Sequence, residues 1–219
     1  MDQTLTFGKY KNKLLSYILK EDRQYLLWLC SQIWYKERYP ELYNTSLYLM
    51  EENKPTVNDD MFIVYTDGAC PHNGSPKARS SIGIHFSEKN PVQLKDISEV
   101  LHLENHSNNI AELSAINRAL TIIKENNIKV PIRLYTDSKY CQSILLEWYE
   151  NWTRYNLLHN KKNLQLIKET YELYQTFNDI DILYIHAHKK KKDEHSYGND
   201  IADKLARGAF KNINMNKFS

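Results

Sequence analysis

Ten consecutive residues, Met61-Phe-Ile-Val-Tyr-Thr-Asp67-Gly-Ala-Cys70, constrain this chain more than any others. Apolar and β-forming side chains run up to a single carboxylate followed by glycine. Residues of this kind favour a pleated, buried strand, and Gly68 admits the sharp turn that should follow. The run therefore predicts a central strand over Met61 to Thr66 with Asp67 at its mouth. A carboxylate held rigidly there, facing solvent, suits a divalent-metal ligand. Thr-Asp-Gly taken alone reads more simply as the start of a turn, so the assignment depends on the rest of the chain.

Downstream the pattern is α/β. Residues 80–86 and 99–103 alternate as two further strands, with Ile82, Ile84 and Phe86 on one face and Leu101 and Leu103 on another. Helical spacing carries Ile110, Leu113, Ile116, Ala119, Leu120 and Ile123 through residues 108–126. Residues 130–136 form a fourth strand, and Ser138 caps the helix after it. Trp148, Tyr149 and Trp152 fall in another helical segment, residues 161–177 in an amphipathic helix, 180–185 in a fifth strand and 199–210 in a final helix. Three meandering strands followed by alternating helices and strands predict a five-stranded mixed sheet flanked by helices. This α/β domain spans residues 61–211, with a tail over 212–219.

Residues 1–50 read as a separate, small, mostly helical module. Phe7 to Lys13 is a basic opening, Asp22 caps a helix whose stripe is Tyr25, Leu26, Trp28, Leu29, Ile33 and Trp34, and Pro40 starts another. Residues 51–60 are polar, hold a proline and make the linker. With 29 basic against 27 acidic residues the net charge is only +2, so a nucleic-acid partner must meet a local basic patch. Cys30, Cys70 and Cys141 are too widely spaced for a disulfide framework. No apolar run approaches a membrane span and no signal-peptide core is present, which predicts a soluble intracellular protein without membrane contact. Abundant Asn, Lys, Ile and Tyr fit an AT-rich genome such as that of a large DNA virus.

Three acidic residues match Asp67 in placement. Glu112 lies in the first turns of the helix after strand three, Asp137 ends strand four in a second Tyr-Thr-Asp, and Asp203 lies early in the last helix. Adjacent parallel strands one and four would deliver both strand-end aspartates to one sheet edge. Four carboxylates converging there would repel one another unless cations intervened, and two Mg²⁺ about 4 Å apart are natural occupants of an all-oxygen site.

In order along the chain, Tyr-Thr-Asp67-Gly-Ala-Cys with Asn73-Gly74, Asn108-Asn-Ile-Ala-Glu112-Leu, Tyr-Thr-Asp137-Ser and Gly-Asn-Asp-Ile-Ala-Asp203-Lys-Leu-Ala together resemble a type 1 ribonuclease H. The likeness covers about two-thirds of the chain. The opening Phe7-Gly-Lys-Tyr-Lys and the later Tyr-Leu-Leu-Trp-Leu resemble a small module attached to some exonucleases, which fits a nucleic-acid tether or a packing appendage equally. The larger resemblance implies hydrolysis of the RNA strand of RNA/DNA hybrids, leaving 5′-phosphate and 3′-hydroxyl ends. It implies two Mg²⁺, for which Mn²⁺ would substitute, on Asp67, Glu112, Asp137 and Asp203, with Asp200 the alternative to Asp203. The family's mobile histidine corresponds best to His188, with His186 and His195 as alternatives. By position, Cys70, Asn73 and Asn109 match residues that touch the RNA strand. Ser107 and Asn160 match a pocket for a DNA-strand phosphate, with Asn105 where the family often has Arg, and Trp148 and Trp152 match the channel for DNA sugars. The usual basic protrusion is short here and carries Arg154, so binding is expected to lean on Lys139, Lys161, Lys162 and Lys189 to Lys192. Nothing in the sequence names a protein partner. Two other classes stay open: a non-catalytic hybrid-binding module, which would need a lost carboxylate, and a superfamily nuclease acting on DNA, which would cut DNA duplexes.

Overall fold

The computed structural model describes residues 2–52, 61–186 and 193–215, with side chains to residue 211. The chain divides into two compact units, Met1–Asp59 and Asp60–Ser219.

The smaller unit opens with a Thr4–Leu14 bridge and continues as α1 (Leu15–Glu21), α2 (Arg23–Ser31), α3 (Ile33–Arg38) and α4 (Pro40–Glu52). Asp22 organises its start: one carboxylate oxygen accepts the Tyr25 amide at 3.0 Å and caps α2, while the other accepts Lys9 Nζ at 3.0 Å and the Tyr10 hydroxyl at 3.1 Å. The single helix expected after Asp22 is two helices. Gln32 is extended (φ −88°, ψ 125°), which turns the continuing chain off the stripe and leaves Ile33 65% exposed. Helix α4 also runs to Glu52, into the stretch read as linker; residues 53–60 lie outside the described residues.

The larger unit runs β1 (Phe62–Ala69), β2 (Ser81–Phe86), β3 (Ile97–Val100), α5 (Asn108–Glu125), β4 (Ile132–Thr136), α6 (Lys139–Ser143), a π-helical turn Ile144–Trp148, α7 (Tyr149–Arg154), a 3-10 turn Leu158–Asn160, α8 (Leu164–Tyr174), β5 (Ile180–Tyr184) and α9 (Glu194–Met215). The sheet order is β3-β2-β1-β4-β5. The first three strands pair antiparallel, and β1 with β4 and β4 with β5 pair parallel. Five mixed strands with helices around them are the architecture expected from the pattern. Strand β1 is central: Phe62, Val64 and Thr66 are fully buried on one face, and Tyr65 and Asp67 are nearly so on the other.

Several element ends differ from the sequence reading. Strand β1 runs on through Asp67 and Gly68 to Ala69, pairing with Gly83, Ile82 and Ser81, so the turn expected at Gly68 falls later. Helix α8 is confined to Leu164–Tyr174 within the expected 161–177. Strand β3 lies earlier, because Ile97 pairs with Ile84 and Val100 with Ser81. The chain then leaves the sheet with Leu103 44% exposed. Helix α9 starts five residues before Asn199, because Asp193 Oδ1 caps it through the Ser196 amide at 2.8 Å, and it continues through the stretch read as a tail to Met215.

Helix α5 lies against β1 and α9 against β2, each at a glycine. A Cβ at Gly68 would sit 2.2 Å from the Glu112 nitrogen, and one at Gly83 would sit 2.0 Å from the Ala202 carbonyl oxygen. Asp67 and Gly83 are partners in the β1–β2 register. The two approaches therefore draw Glu112 and the middle of α9 towards the end of β1. His195 anchors the start of α9, sharing its ring nitrogens with the Tyr65 hydroxyl at 3.0 Å and the Tyr135 hydroxyl at 3.2 Å. Gly83→Ala must push the α9 backbone away, and we expect it to cost about 2–3 kcal/mol in chemical denaturation. An unchanged denaturation midpoint would show that the contact is not tight.

Candidate active site

Asp67 lies in β1, two residues before its end, and is buried at 6% exposure. Asp137 follows β4 in the parallel neighbour, so both carboxylates emerge at the same edge. Glu112, one turn into α5, is held by the Gly68 amide, which donates to its Oε2 at 3.2 Å. One oxygen from each of these three carboxylates lies within 4.8 Å of the others. Asp203 and Asp200, from α9, line the same cavity of about 700 Å³. Asp203 is not part of the tight triad, and its Oδ1 accepts Arg207 Nε at 2.7 Å, one helical turn on.

Crowding shows in the electrostatics. Burial, then the charges of Asp137 and Asp203, push the Asp67 carboxyl up to about 8, against smaller opposing effects of Arg207 and the Gly68 amide. Burial, then Asp67 and Asp137, hold Glu112 well above the ordinary carboxylate value. Asn199 adds a further sign of strain: its Nδ2 donates to Asp137 Oδ2 at 3.4 Å, and its buried Oδ1 has no hydrogen-bond partner among the described residues. A dense all-oxygen donor set that resists ionising, beside an unsatisfied amide oxygen, fits a hard divalent cation or its bound water. Asn199 and Arg207 are absent from the sequence-based set. The spacing of Arg207, four residues after Asp203, was the signal that could have found it.

The remaining expected site residues do not gather in one place. Cys70 lines the acid cavity. Asn73 Oδ1 accepts the Asn108 amide at 3.2 Å, tying the loop after β1 to the start of α5. Ser107 caps α5 through the Ile110 amide and joins Asn109, Trp152, Asn160, Lys161 and Lys162 around a separate cavity of about 780 Å³. Lys161 Nζ lies 4.3 Å from the centroid of the Trp152 ring. Trp148 packs against Trp152 with ring centroids 5.8 Å apart. Lys139 sits elsewhere, with its ammonium 4.9 Å from the centroid of the Tyr184 ring. His188 and Lys189 to Lys192 lie outside the described residues. Of the alternative histidines, His186 is exposed and edge-on to Tyr184, whereas His195 has both nitrogens engaged by tyrosines.

Residues 59–211 match the RNase H family, and residues 5–33 match the exodeoxyribonuclease X-like C-terminal family. The first match spans well over half the chain, and the chain belongs to the RNase H family of enzymes. It is 33% identical over 143 residues to the ribonuclease H of Orientia tsutsugamushi (strain Boryong), covering 65% of this chain and 78% of that protein. It is 34% identical over 151 residues to the probable ribonuclease H of Acanthamoeba polyphaga mimivirus, covering 66% of this chain and 64% of the relative. Among solved structures it is similar to a foamy viral protease-reverse transcriptase in complex with RNA/DNA hybrid, with a TM-score of 0.56 and 25% identity over 68% of this chain and 20% of that one. Both resemblances seen in the sequence are borne out. No helix among the described residues is long and apolar enough to cross a membrane.

The raised carboxyls make a prediction about the metal-free protein. Between about pH 4 and pH 8 the folded chain keeps protons at this site that the unfolded chain has released. Stability therefore falls as pH rises through that window and levels off above it. In chelator, the thermal midpoint should decline from pH 5 to pH 8, and Asp67→Asn should flatten the decline. Identical pH profiles for the two proteins would refute the crowding.

Proposed function

We propose that the larger unit is an endoribonuclease that hydrolyses the RNA strand of RNA/DNA hybrids, leaving 5′-phosphate and 3′-hydroxyl ends. The observation that carries this reading is the triad of buried Asp67 with partly buried Glu112 and Asp137, within mutual ligand reach at one sheet edge. The RNase H membership and the similar reverse transcriptase solved with a hybrid support the substrate class.

Asp67, Glu112, Asp137 and Asp203 would hold two Mg²⁺, or Mn²⁺ in their place. When bound, such ions activate water and stabilise charge on the departing 3′-oxygen. The chain's own contribution is position and field. Strand ends fix Asp67 and Asp137, and the Gly68 amide orients Glu112. Arg207 neutralises Asp203 and so limits repulsion on the α9 side. Water attacks phosphorus, the bond to the 3′-oxygen breaks, and the phosphate stays on the 5′ end of the downstream fragment.

Discrimination of RNA requires contacts to 2′-hydroxyls from the shallow minor groove. Cys70, Asn73 and Asn109 are proposed for that strand. A DNA-strand phosphate is proposed to sit in the cavity of Ser107, Asn160, Lys161 and Lys162, where the lysines supply the cation that Asn105 cannot. Trp148 and Trp152 would pack against the DNA sugars, and Lys139 would meet the backbone further along. His188 remains the proposed assisting histidine, since His195 is committed to Tyr65 and Tyr135. We place the enzyme inside the cell, in cytoplasm or nucleus.

Matched RNA/DNA, RNA/RNA and DNA/DNA duplexes, each with Mg²⁺, Mn²⁺ or chelator, test the reading. Cutting should be confined to the RNA strand of the hybrid and should need metal, and Asp137→Asn should still bind while being inert. Equal cutting of DNA duplexes would replace this reading with a DNA nuclease. Binding without any cutting would replace it with a hybrid-binding module. Lys161→Ala with Lys162→Ala should lower the slope of log affinity against log salt by about two, and an unchanged slope would remove both lysines from the interface.

A further inference from the structure

A cavity of about 830 Å³ lies between the loop after β1 and the chain leaving β3, and neither the acid cluster nor the lysine pocket accounts for it. Ser75, Arg79, His102 and His106 bring hydrogen-bond donors to its wall, and Glu104 is the acidic side chain there. Two of the donors are held by hydrogen bonds to the backbone. His106 Nδ1 accepts the Ser80 amide at 3.0 Å, so the ring proton sits on Nε2 and an N–H points to the opposite side of the ring. Arg79 is exposed, and its Nη1 donates to the Ala78 carbonyl at 2.7 Å. That bond ties one arm of the guanidinium, and the other N–H groups belong to an exposed side chain on the cavity wall that can meet an outside acceptor.

A guanidinium and an imidazole N–H on the wall of one cavity suit phosphate oxygens. A metal is a poor fit, because the one cluster of potential ligands within reach of a shared ion among the described residues is Asp67, Glu112 and Asp137. Location narrows the source of the phosphate. Phe210 lines both this cavity and the acid cavity, while Asn105 and His106 line both this cavity and the lysine pocket. The donors therefore adjoin both places where the proposed duplex would be held.

We infer that Arg79, His102 and His106 form a third phosphate site, which takes a backbone phosphate of the same RNA/DNA duplex. The inference rests on the hybrid-cleavage reading. It predicts that this chain grips the backbone at a point where the site residues expected from the sequence place nothing.

The test uses the full chain carrying Asp137→Asn, binding a fluorescent RNA/DNA hybrid of roughly 18 base pairs across a salt series. Adding Arg79→Ala with His102→Ala should weaken binding by about tenfold at low salt and lower the salt slope by about one, and Arg79→Lys should restore most of the slope. His106→Asn puts an amide oxygen where Nδ1 accepted the Ser80 amide and replaces the outward Nε2 donor with an amide N–H of shorter reach. It should weaken binding by about threefold while the thermal midpoint stays put. If these variants keep the parent's affinity and slope, while the parent binds the hybrid and the chain with Asp137 intact cuts it, the third site is overturned and the cleavage reading survives. A parent that neither binds nor cuts the hybrid overturns both.

Discussion

Like charges confined at the end of one buried strand set the terms for the larger unit. Asp67 is nearly excluded from water, with Asp137 and Glu112 close enough to share an ion. Bringing such groups together without a counter-charge costs folding free energy, and the chain meets that cost by holding protons it would otherwise release. The arrangement is tolerable because the sheet is over-determined around it. Glycines at 68 and 83 let two helices press onto adjacent strands, and His195 pins the start of α9 to two tyrosines of the sheet. Rigidity of this kind is what a site needs when its contribution is preorganised field and geometry.

Basic groups are distributed around that acid centre in separate places. Arg207 stays on Asp203, inside the cavity. Lys161 stacks on Trp152 in the lysine pocket, and Arg79 with its neighbouring histidines lines the groove between loop and strand. A chain with a net charge of only +2 thus carries local positive surface in separate places around its most negative spot. The smaller unit is built on different principles. It is a helical cluster stapled by the three bonds to Asp22 and by Phe7 packing on Tyr39 at a centroid distance of 4.5 Å. Its match to the exodeoxyribonuclease X-like C-terminal family sets it apart as a module of its own.

Much of the fold was legible in one dimension. β-forming residues with short periods marked the strands, and the alternation after β3 implied a parallel crossover, because only a helix can return the chain to the same end of the sheet. What failed to read out were the ends of elements. The break at Gln32 leaves no proline or glycine signal, the α9 cap depends on Asp193 turning back to accept the Ser196 amide, and the exit of β3 at Val100 is set by pairing with β2. Each is a tertiary decision that local propensity does not encode.

By itself the sequence determined which side chains could do chemistry and the order of strands and helices that carries them, because residue type and hydrophobic period are local properties. Only the tertiary structure decided how they are shared out. Three carboxylates crowd together while Asp203 is paired with Arg207, His195 is consumed by two tyrosine hydroxyls, and Ser107, Asn160 and the lysines gather in one pocket while Lys139 does not. Those assignments follow from packing distances between residues far apart along the chain, and such distances exist only once the helices have closed onto the sheet.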